Sequence, residues 1–188
     1  MKKFMMIAVL AVAAITANAQ VWIGGEIGLT TSKTTNDGED VKSGTDITVA
    51  PEIGYSINDK WDIAVALNYT HSSATTNIYG PYNYETQSNS FSINPYVRYT
   101  FFKAGNFSAF LDGGVGYGFT HFQGADDDVN DFFVAIKPGF AYKVSPKVSL
   151  VAHFGDLSYD HSWVGDYKTN KFGIGLNNTV SFGAYYAF

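Results

Sequence analysis

The chain has 188 residues, no cysteine, 12 basic against 17 acidic side chains, and a large share of Tyr (13), Phe (15) and Gly (19). This length suits one domain, the mild acidity gives nucleic acid no basic footprint, and the lack of cysteine rules out a disulfide framework and a lipid-acceptor thiol. Charged residues make up 15% of the chain, low beside the roughly 25% of soluble domains.

The chain opens with Lys2 and Lys3, an apolar run from Phe4 to Ile15, and then Thr16-Ala17-Asn18-Ala19. A charged start, an apolar middle and a small-x-small ending form the pattern of a cleaved signal peptide, with Gln20 as the mature N-terminus. The run is too short to cross a bilayer as a helix, which takes about 20 residues. The expected organisation is therefore a signal peptide over 1–19 and one domain over 20–188.

Beyond residue 20 the apolar residues keep no 3.6-residue period, whereas alternation with period two recurs throughout. It predicts eight strands, near 20–31, 45–57, 61–72, 89–102, 107–120, 131–144, 148–158 and 170–188. The segments Asn58-Asp59-Lys60, Lys103-Ala104-Gly105-Asn106 and Ser145-Pro146-Lys147 read as tight turns, and the other connections as long polar loops. Short turns at one end and long loops at the other are the habit of outer-membrane barrels.

Sorting alternate residues gives each strand a greasy face and a small or mildly polar one. In the second strand Ile47, Val49, Pro51, Ile53, Tyr55 and Ile57 oppose Thr48, Ala50, Glu52, Gly54 and Ser56. In the third, Trp61, Ile63, Val65, Leu67 and Tyr69 oppose Asp62, Ala64, Ala66, Asn68 and Thr70. A soluble half-buried sheet would load its second face with Lys and Glu; small residues there suit a narrow lumen instead. The apolar face then meets lipid, with Trp61, Tyr55, Tyr69, Tyr99, Tyr142 and Tyr186 as interface aromatics. A lipocalin-like soluble barrel, with its apolar face inward, is the alternative fold.

A short unit repeats. Pro51-x-x-x-Tyr55-x-Ile57 returns as Pro95-x-x-x-Tyr99-x-Phe101 and Pro138-x-x-x-Tyr142-x-Val144, and Phe182-x-x-x-Tyr186-x-Phe188 keeps the register. The period of about 44 residues is one up-and-down strand pair, so four units make eight strands. Proline lacks the ladder N–H, so bulges or unpaired positions are expected at these sites.

The ending Ser181-Phe182-Gly183-Ala184-Tyr185-Tyr186-Ala187-Phe188 resembles the terminal signal read by the outer-membrane barrel assembly machinery, carried by Ser181, Gly183, Tyr186 and Phe188. With Pro51-Glu52-Ile53-Gly54-Tyr55 and the alternation, the whole of 20–188 resembles the small eight-stranded outer-membrane barrels of the OmpA/OmpX type, and its Pro-x-x-Gly-Tyr style is most similar to the barrel-domain family common in Bacteroidetes. That resemblance implies an all-β up-and-down transmembrane barrel in the outer membrane of a Gram-negative bacterium, with loops outside. Its partners would be outer-membrane lipid and lipopolysaccharide, the assembly machinery and a possible extracellular ligand. It does not imply wall anchoring, because no peptidoglycan-binding domain follows the last strand.

The candidate site is a layer of lumen charges: Glu26, Glu52, Arg98, Asp112, Lys137 and His153. All lie four to seven residues from the inner strand ends, with Arg98 expected beside Asp112, Asp112 beside Lys137, and Glu26 beside Glu52. Eight strands leave an interior just wide enough for side chains, and ions buried there must pair, so a salt-bridged plug is expected. His71-Ser72-Ser73 and Asp160-His161-Ser162 could seed a surface esterase, the first faintly resembling lipid A deacylases but lacking the Asn expected after Ser73. Asp126-Asp127-Asp128 lacks the spaced pattern of a calcium loop and reads as a solvated tip, so no metal or other cofactor is expected. Tyr79, Tyr82 and Tyr84, amid Asn and Gly, suit surface recognition. The leading expectation is a non-enzymatic plugged scaffold presenting its loops for surface contact or envelope integrity. A lipid-modifying enzyme and a narrow porin-like channel are the alternatives.

Overall fold

The computed structural model describes residues 21–36, 39–78 and 82–188; the segment expected as a signal peptide, Asp37 and Tyr79 lie outside them. Eight antiparallel strands, β1 (Val21–Asn36), β2 (Glu39–Ser56), β3 (Trp61–Ile78), β4 (Tyr82–Ala104), β5 (Phe107–Phe122), β6 (Val129–Lys143), β7 (Val148–Val164) and β8 (Tyr167–Ala187), close in chain order into a barrel. The alternation places Ile23, Val49, Ile63, Ile93, Val115 and Val134 outward and exposed. Such a surface is stable only against lipid, and closure pairs the strand edges that lipid cannot solvate.

The inner turns fall where expected, held by local side chains. Asn58 Oδ1 accepts from the backbone N–H of Lys60 (2.9 Å) and Trp61 (3.1 Å), Ser145 Oγ accepts from Val148 N–H (3.1 Å), and Gly105 supplies the left-handed residue (φ 58°) between β4 and β5.

The outer connections differ from the expected long loops. β3 runs on to Ile78, β4 begins at Tyr82, and β7 and β8 meet at a turn built on Gly165 (φ 53°). Above the bilayer the two faces share one solvent, so alternation lapses while backbone pairing continues. The Thr- and Ser-rich stretches that read as loops are the upper parts of hairpins, in which Thr is a favourable strand residue.

The three repeated prolines sit at ladder interruptions, as expected. Pairing skips from Val49↔Tyr69 to Glu52↔Ala66 beside Pro51, from Ile93↔Tyr117 to Tyr96↔Gly114 beside Pro95, and, with a register shift, from Ile136↔Leu157 to Gly139↔His153 beside Pro138. At Pro95 a side chain fills part of the gap: the Asn94 amide nitrogen, turned towards them, donates to Pro95 O (3.2 Å) and Val115 O (2.7 Å). β7 also bulges at Gly155 (φ 67°), between Phe154 and Asp156. Such an extra residue reverses which side chains face inward.

Large lumen residues stand opposite glycine. The cross-strand pairs Trp22↔Gly54, Tyr185↔Gly24, Glu26↔Gly183, Tyr96↔Gly114, Phe110↔Gly139 and Phe133↔Gly116 all follow this rule. A Cβ on Gly54 would lie 2.2 Å from the Trp22 ring, and one on Gly24 2.1 Å from the Tyr185 ring. Gly54→Val is therefore expected to cost about 1–3 kcal/mol through overpacking, read as a lower urea midpoint for the barrel folded in lipid vesicles.

Among the described residues, β1 pairs with β2 from Val21 to Asn36 and closes the barrel by pairing with β8 from Trp22↔Ala187 to Gly28↔Ser181.

Candidate functional site

Every strand but β3, which contributes Ala64 and Ala66, places charged or aromatic residues at similar depth, and the registers bring them together across the lumen. Arg98 and Asp112 are direct partners of the β4–β5 hairpin. Arg98 Nε donates to Asp112 Oδ1 and Nη2 to Oδ2, both at 2.7 Å, and both residues are buried. Two parallel bonds from a rigid fork are the strongest form of this pair.

The network spreads from there. His153 Nε2 lies 2.7 Å from Asp112 Oδ2, and its Nδ1 lies 2.7 Å from Glu26 Oε1, out of line for a hydrogen bond. Glu26 also accepts from Ser181 Oγ (2.6 Å) and Tyr185 OH (3.1 Å). Tyr185 OH is 3.0 Å from Glu52 Oε2, which accepts from Tyr96 OH at 2.5 Å. Glu26 and Glu52 are thus linked through one tyrosine hydroxyl. The Arg98 guanidinium lies 3.9 Å from the Phe110 ring centre, with the Tyr185, Tyr96 and Trp22 rings at 5.2–5.8 Å. Aromatic faces around a desolvated cation replace part of its lost hydration.

Five of the six expected residues join this layer. Lys137 is the exception: it is the register partner of Asp112, yet no ion pair joins them, and among the described residues no carboxylate pairs with it. Arg98 and His153 already occupy Asp112, so the lysine lies beside the network. Sequence reasoning missed the apolar half of the layer, Trp22, Phe110, Val151 and Tyr185. Strand parity was the available signal, since Trp22 is four residues from Glu26 and Phe110 two from Asp112.

The layer divides the lumen. Beneath it lies a vestibule of about 600 Å³, roofed by Trp22, Arg98, Phe110 and Tyr185 and reaching Lys143, Lys147 and Phe188. Above it lie a cavity of about 260 Å³ and an adjoining one of about 70 Å³, both touching Glu26, Lys137, His153 and Ser181. The lower space shares no lining residue with either upper one.

A family profile described as "Outer membrane protein beta-barrel domain" matches residues 4–179. The chain belongs to that family. Among solved structures, OprG from Pseudomonas aeruginosa is similar with a TM-score of 0.55 at 14% identity, covering 90% of this chain and 96% of that one. Neisserial surface protein A is similar at a TM-score of 0.49 and 19% identity, over 89% and 96% of the two chains. At these identities the OprG likeness bears on the fold alone. Among curated proteins none matches.

As a small barrel of the Gram-negative outer membrane, this family member meets membrane lipid and lipopolysaccharide with its apolar face, its short turns on the periplasmic side. The inner aromatic girdle includes Tyr55, Trp61, Tyr142 and Tyr186, all exposed, with the Tyr99 ring 4.6 Å from that of Trp61. At the outer girdle a small motif recurs. Asn89 Oδ1 accepts from Tyr69 OH (2.8 Å) and faces His71 Nδ1 (2.9 Å), and Asn170 Oδ1 does the same for Tyr159 OH (2.9 Å) and His161 Nδ1 (2.7 Å). Tyr117 OH donates to Asn130 Oδ1 (2.8 Å) in the hairpin between them.

Both histidines considered for esterase chemistry are therefore bonded to asparagine, and among the described residues no hydrogen bond joins His71 to Ser73 or His161 to Ser162. Asp128 Oδ1 lies 2.8 Å from His121 Nδ1 across the third outer connection, and among the described residues no group of acids and histidines is arranged to hold a metal. Tyr84 stands 64% exposed on β4; the Tyr82 side chain lies outside the described residues. Of the terminal signal residues, Ser181 bonds Glu26, Gly183 lies under Glu26, and Tyr186 packs edge-on to Phe188 (5.3 Å).

Proposed function

We propose that this protein is a non-enzymatic scaffold of the outer membrane, closed to axial flow by its own lumen layer and presenting outer hairpins, Tyr84 among their exposed aromatics, to an extracellular surface or ligand. The observation that carries the reading is the lumen division: Glu26, Arg98, Asp112 and His153 are all buried, and the spaces above and below them share no wall. Charges held at 2.7 Å to one another and packed by Phe110 form a filling for the barrel, as an eight-stranded interior requires. In the same reading residues 1–19 direct export, and the strand-8 ending from Ser181 to Phe188 serves recognition by the assembly machinery.

Single-channel recording tests it. The barrel refolded without residues 1–19 and inserted in a planar bilayer is expected to give no steady current. A persistent conductance would mean that the layer lines a path, and would replace the scaffold reading with transport.

A further inference from the structure

The outer girdle carries a repeated polar motif that the lumen layer does not use. On β3 and β7 the sequence reads Tyr-x-His, as Tyr69-Thr70-His71 and Tyr159-Asp160-His161, and each histidine has an asparagine as register partner on the next strand, Asn89 on β4 and Asn170 on β8. In both copies one amide oxygen ties the tyrosine hydroxyl (2.8 and 2.9 Å) to the imidazole Nδ1 (2.9 and 2.7 Å). The tyrosines are 48% and 43% exposed on the lipid-facing side, so each motif points out of the barrel. Ten residues up β3 from Trp61, at about 3.3 Å per residue and a tilt near 40°, His71 stands about 25 Å above the inner girdle, the height of the apolar band. These polar groups therefore lie where the acyl chains of the outer leaflet end and its headgroups begin.

The bonds within each motif fix what it presents. With Oδ1 taken by the hydroxyl and by Nδ1–H, the asparagine offers its NH2 and the histidine its Nε2 lone pair, and neither has a partner among the described residues. Turning the amide over exchanges the two roles, so either assignment sets one donor beside one acceptor. Such a pair matches neighbouring hydroxyls of a sugar, each of which gives and takes a hydrogen bond. The charges around the two copies differ. Glu85 and the His121–Asp128 pair stand near the first, whereas Lys168 and the turn residue Asp166 stand near the second. Attraction for a phosphate is thus not common to them; the donor and acceptor are. The hairpin between them supplies a contrast, because Tyr117 is bonded to Asn130 in the same way but Phe119 stands opposite Asn130, where the other hairpins have histidine.

We propose that the Tyr69–Asn89–His71 and Tyr159–Asn170–His161 motifs are two binding sites for the sugar hydroxyls of an outer-leaflet glycolipid, the glucosamine headgroup of lipid A. The rings beneath fit its acyl chains: Tyr69 pairs with Phe91 and Tyr159 with Phe172, all of them exposed on the lipid-facing side. At the second site the Trp163 ring lies 5.6 Å from that of His161, a flat face for the C–H side of a sugar. A membrane-anchored sugar fits better than a free one, because the motifs sit at the girdle and not at the hairpin tips. This inference stands apart from the scaffold reading: the sites lie outside the lumen, so lipid retention and bilayer conductance succeed or fail independently.

Native mass spectrometry of the folded barrel, released from detergent micelles containing lipid A or its dephosphorylated form, counts the sites. Two molecules of either form are expected to stay bound, with phosphatidylglycerol held about tenfold more weakly, since it lacks the sugar whose hydrogen bonds the sites make. Asn89→Leu and Asn170→Leu are each expected to release one molecule, the affinity at the altered site falling about tenfold or more. Their urea midpoints should match the parent, because both side chains are exposed. Asn130→Leu is expected to change nothing, and Phe119→His, which completes the motif on the middle hairpin, to add a third bound molecule. Unchanged retention in the double variant Asn89→Leu with Asn170→Leu, or an equal loss with Asn130→Leu, would overturn the proposal as ordinary lipid contact. Retention that disappears with the phosphates would overturn it in favour of charge attraction.

Discussion

Asp112→Ala is expected to lower the unfolding free energy of the barrel by about 3–5 kcal/mol, the cost of breaking a buried ion pair from one side. Asp112 takes both forks of Arg98 and one nitrogen of His153. Without it the guanidinium, whose side chain is 7% exposed, keeps among the described residues Tyr185 OH at 3.4 Å and the surrounding ring faces. Arg98→Ala is expected to act in the same direction, leaving the Asp112 carboxylate facing His153 alone. The double variant Arg98→Met with Asp112→Ala removes both charges and is expected to recover much of the loss, because a neutral filling carries no desolvation penalty. Urea titrations in lipid vesicles, followed by tryptophan fluorescence and by the mobility difference between folded and unfolded barrel on gels, read all three. Unchanged midpoints in both single variants would mean that the layer holds nothing together.

The second large effect concerns Phe110, at 1% exposed the most deeply buried large side chain among the described residues. Its ring lies against the Arg98 guanidinium, edge-on to His153 at 5.2 Å, and in the hollow left by Gly139. Phe110→Ala is expected to cost about 3–5 kcal/mol, the usual loss for a large aromatic deleted from a packed interior. It also removes part of the roof of the lower vestibule, so current steps absent from the parent protein are expected in planar bilayers. A destabilised variant that stays silent would assign the block to the charge network rather than to the ring. The complementary change, Gly139→Leu, drives a side chain into the space of the ring and is expected to destabilise the barrel while leaving it closed.

Most of the barrel is legible in the sequence because lipid imposes a one-sided rule on each membrane-spanning strand. Every second residue from Ile47 to Ile57, or from Trp61 to Tyr69, must be apolar, and the inner turns at Asn58, Gly105 and Ser145 carry their own turn chemistry. Where that rule lapses, so does legibility: Ser73 to Ile78 and Tyr82 to Ser88 are strands, but their polar side chains on both faces read as loop. The charge layer is half legible for a similar reason. Register arithmetic places Arg98 beside Asp112, which the structure bears out, and also Lys137 beside Asp112, which is true of the backbone but not of the ion pairs. Neighbouring Cα positions do not say which of two cations reaches one carboxylate; here the Arg98 fork and His153 fill it. Trp22, Phe110 and Tyr185 escaped notice because aromatics in such a chain read as membrane surface. Their parity, and the glycine opposite each, marks them as filling.

Those glycine seats also bear on how the barrel comes together in time. Arg98 and Asp112 are 14 residues apart, within one hairpin, whereas Ser181 and Tyr185 reach Glu26 across 155 and 159 residues and Tyr185 reaches Glu52 across 133. Contacts between distant parts of a chain form late and slowly. The Arg98–Asp112 clasp is thus available as soon as β4 and β5 pair, while Glu26 and Glu52 must await β8. When β8 arrives, Tyr185 drops over Gly24 and Glu26 over Gly183 in the same movement that pairs the last strand with the first. Zipping the cylinder shut and solidifying its interior are one kinetic step, and a half-built barrel is hollow.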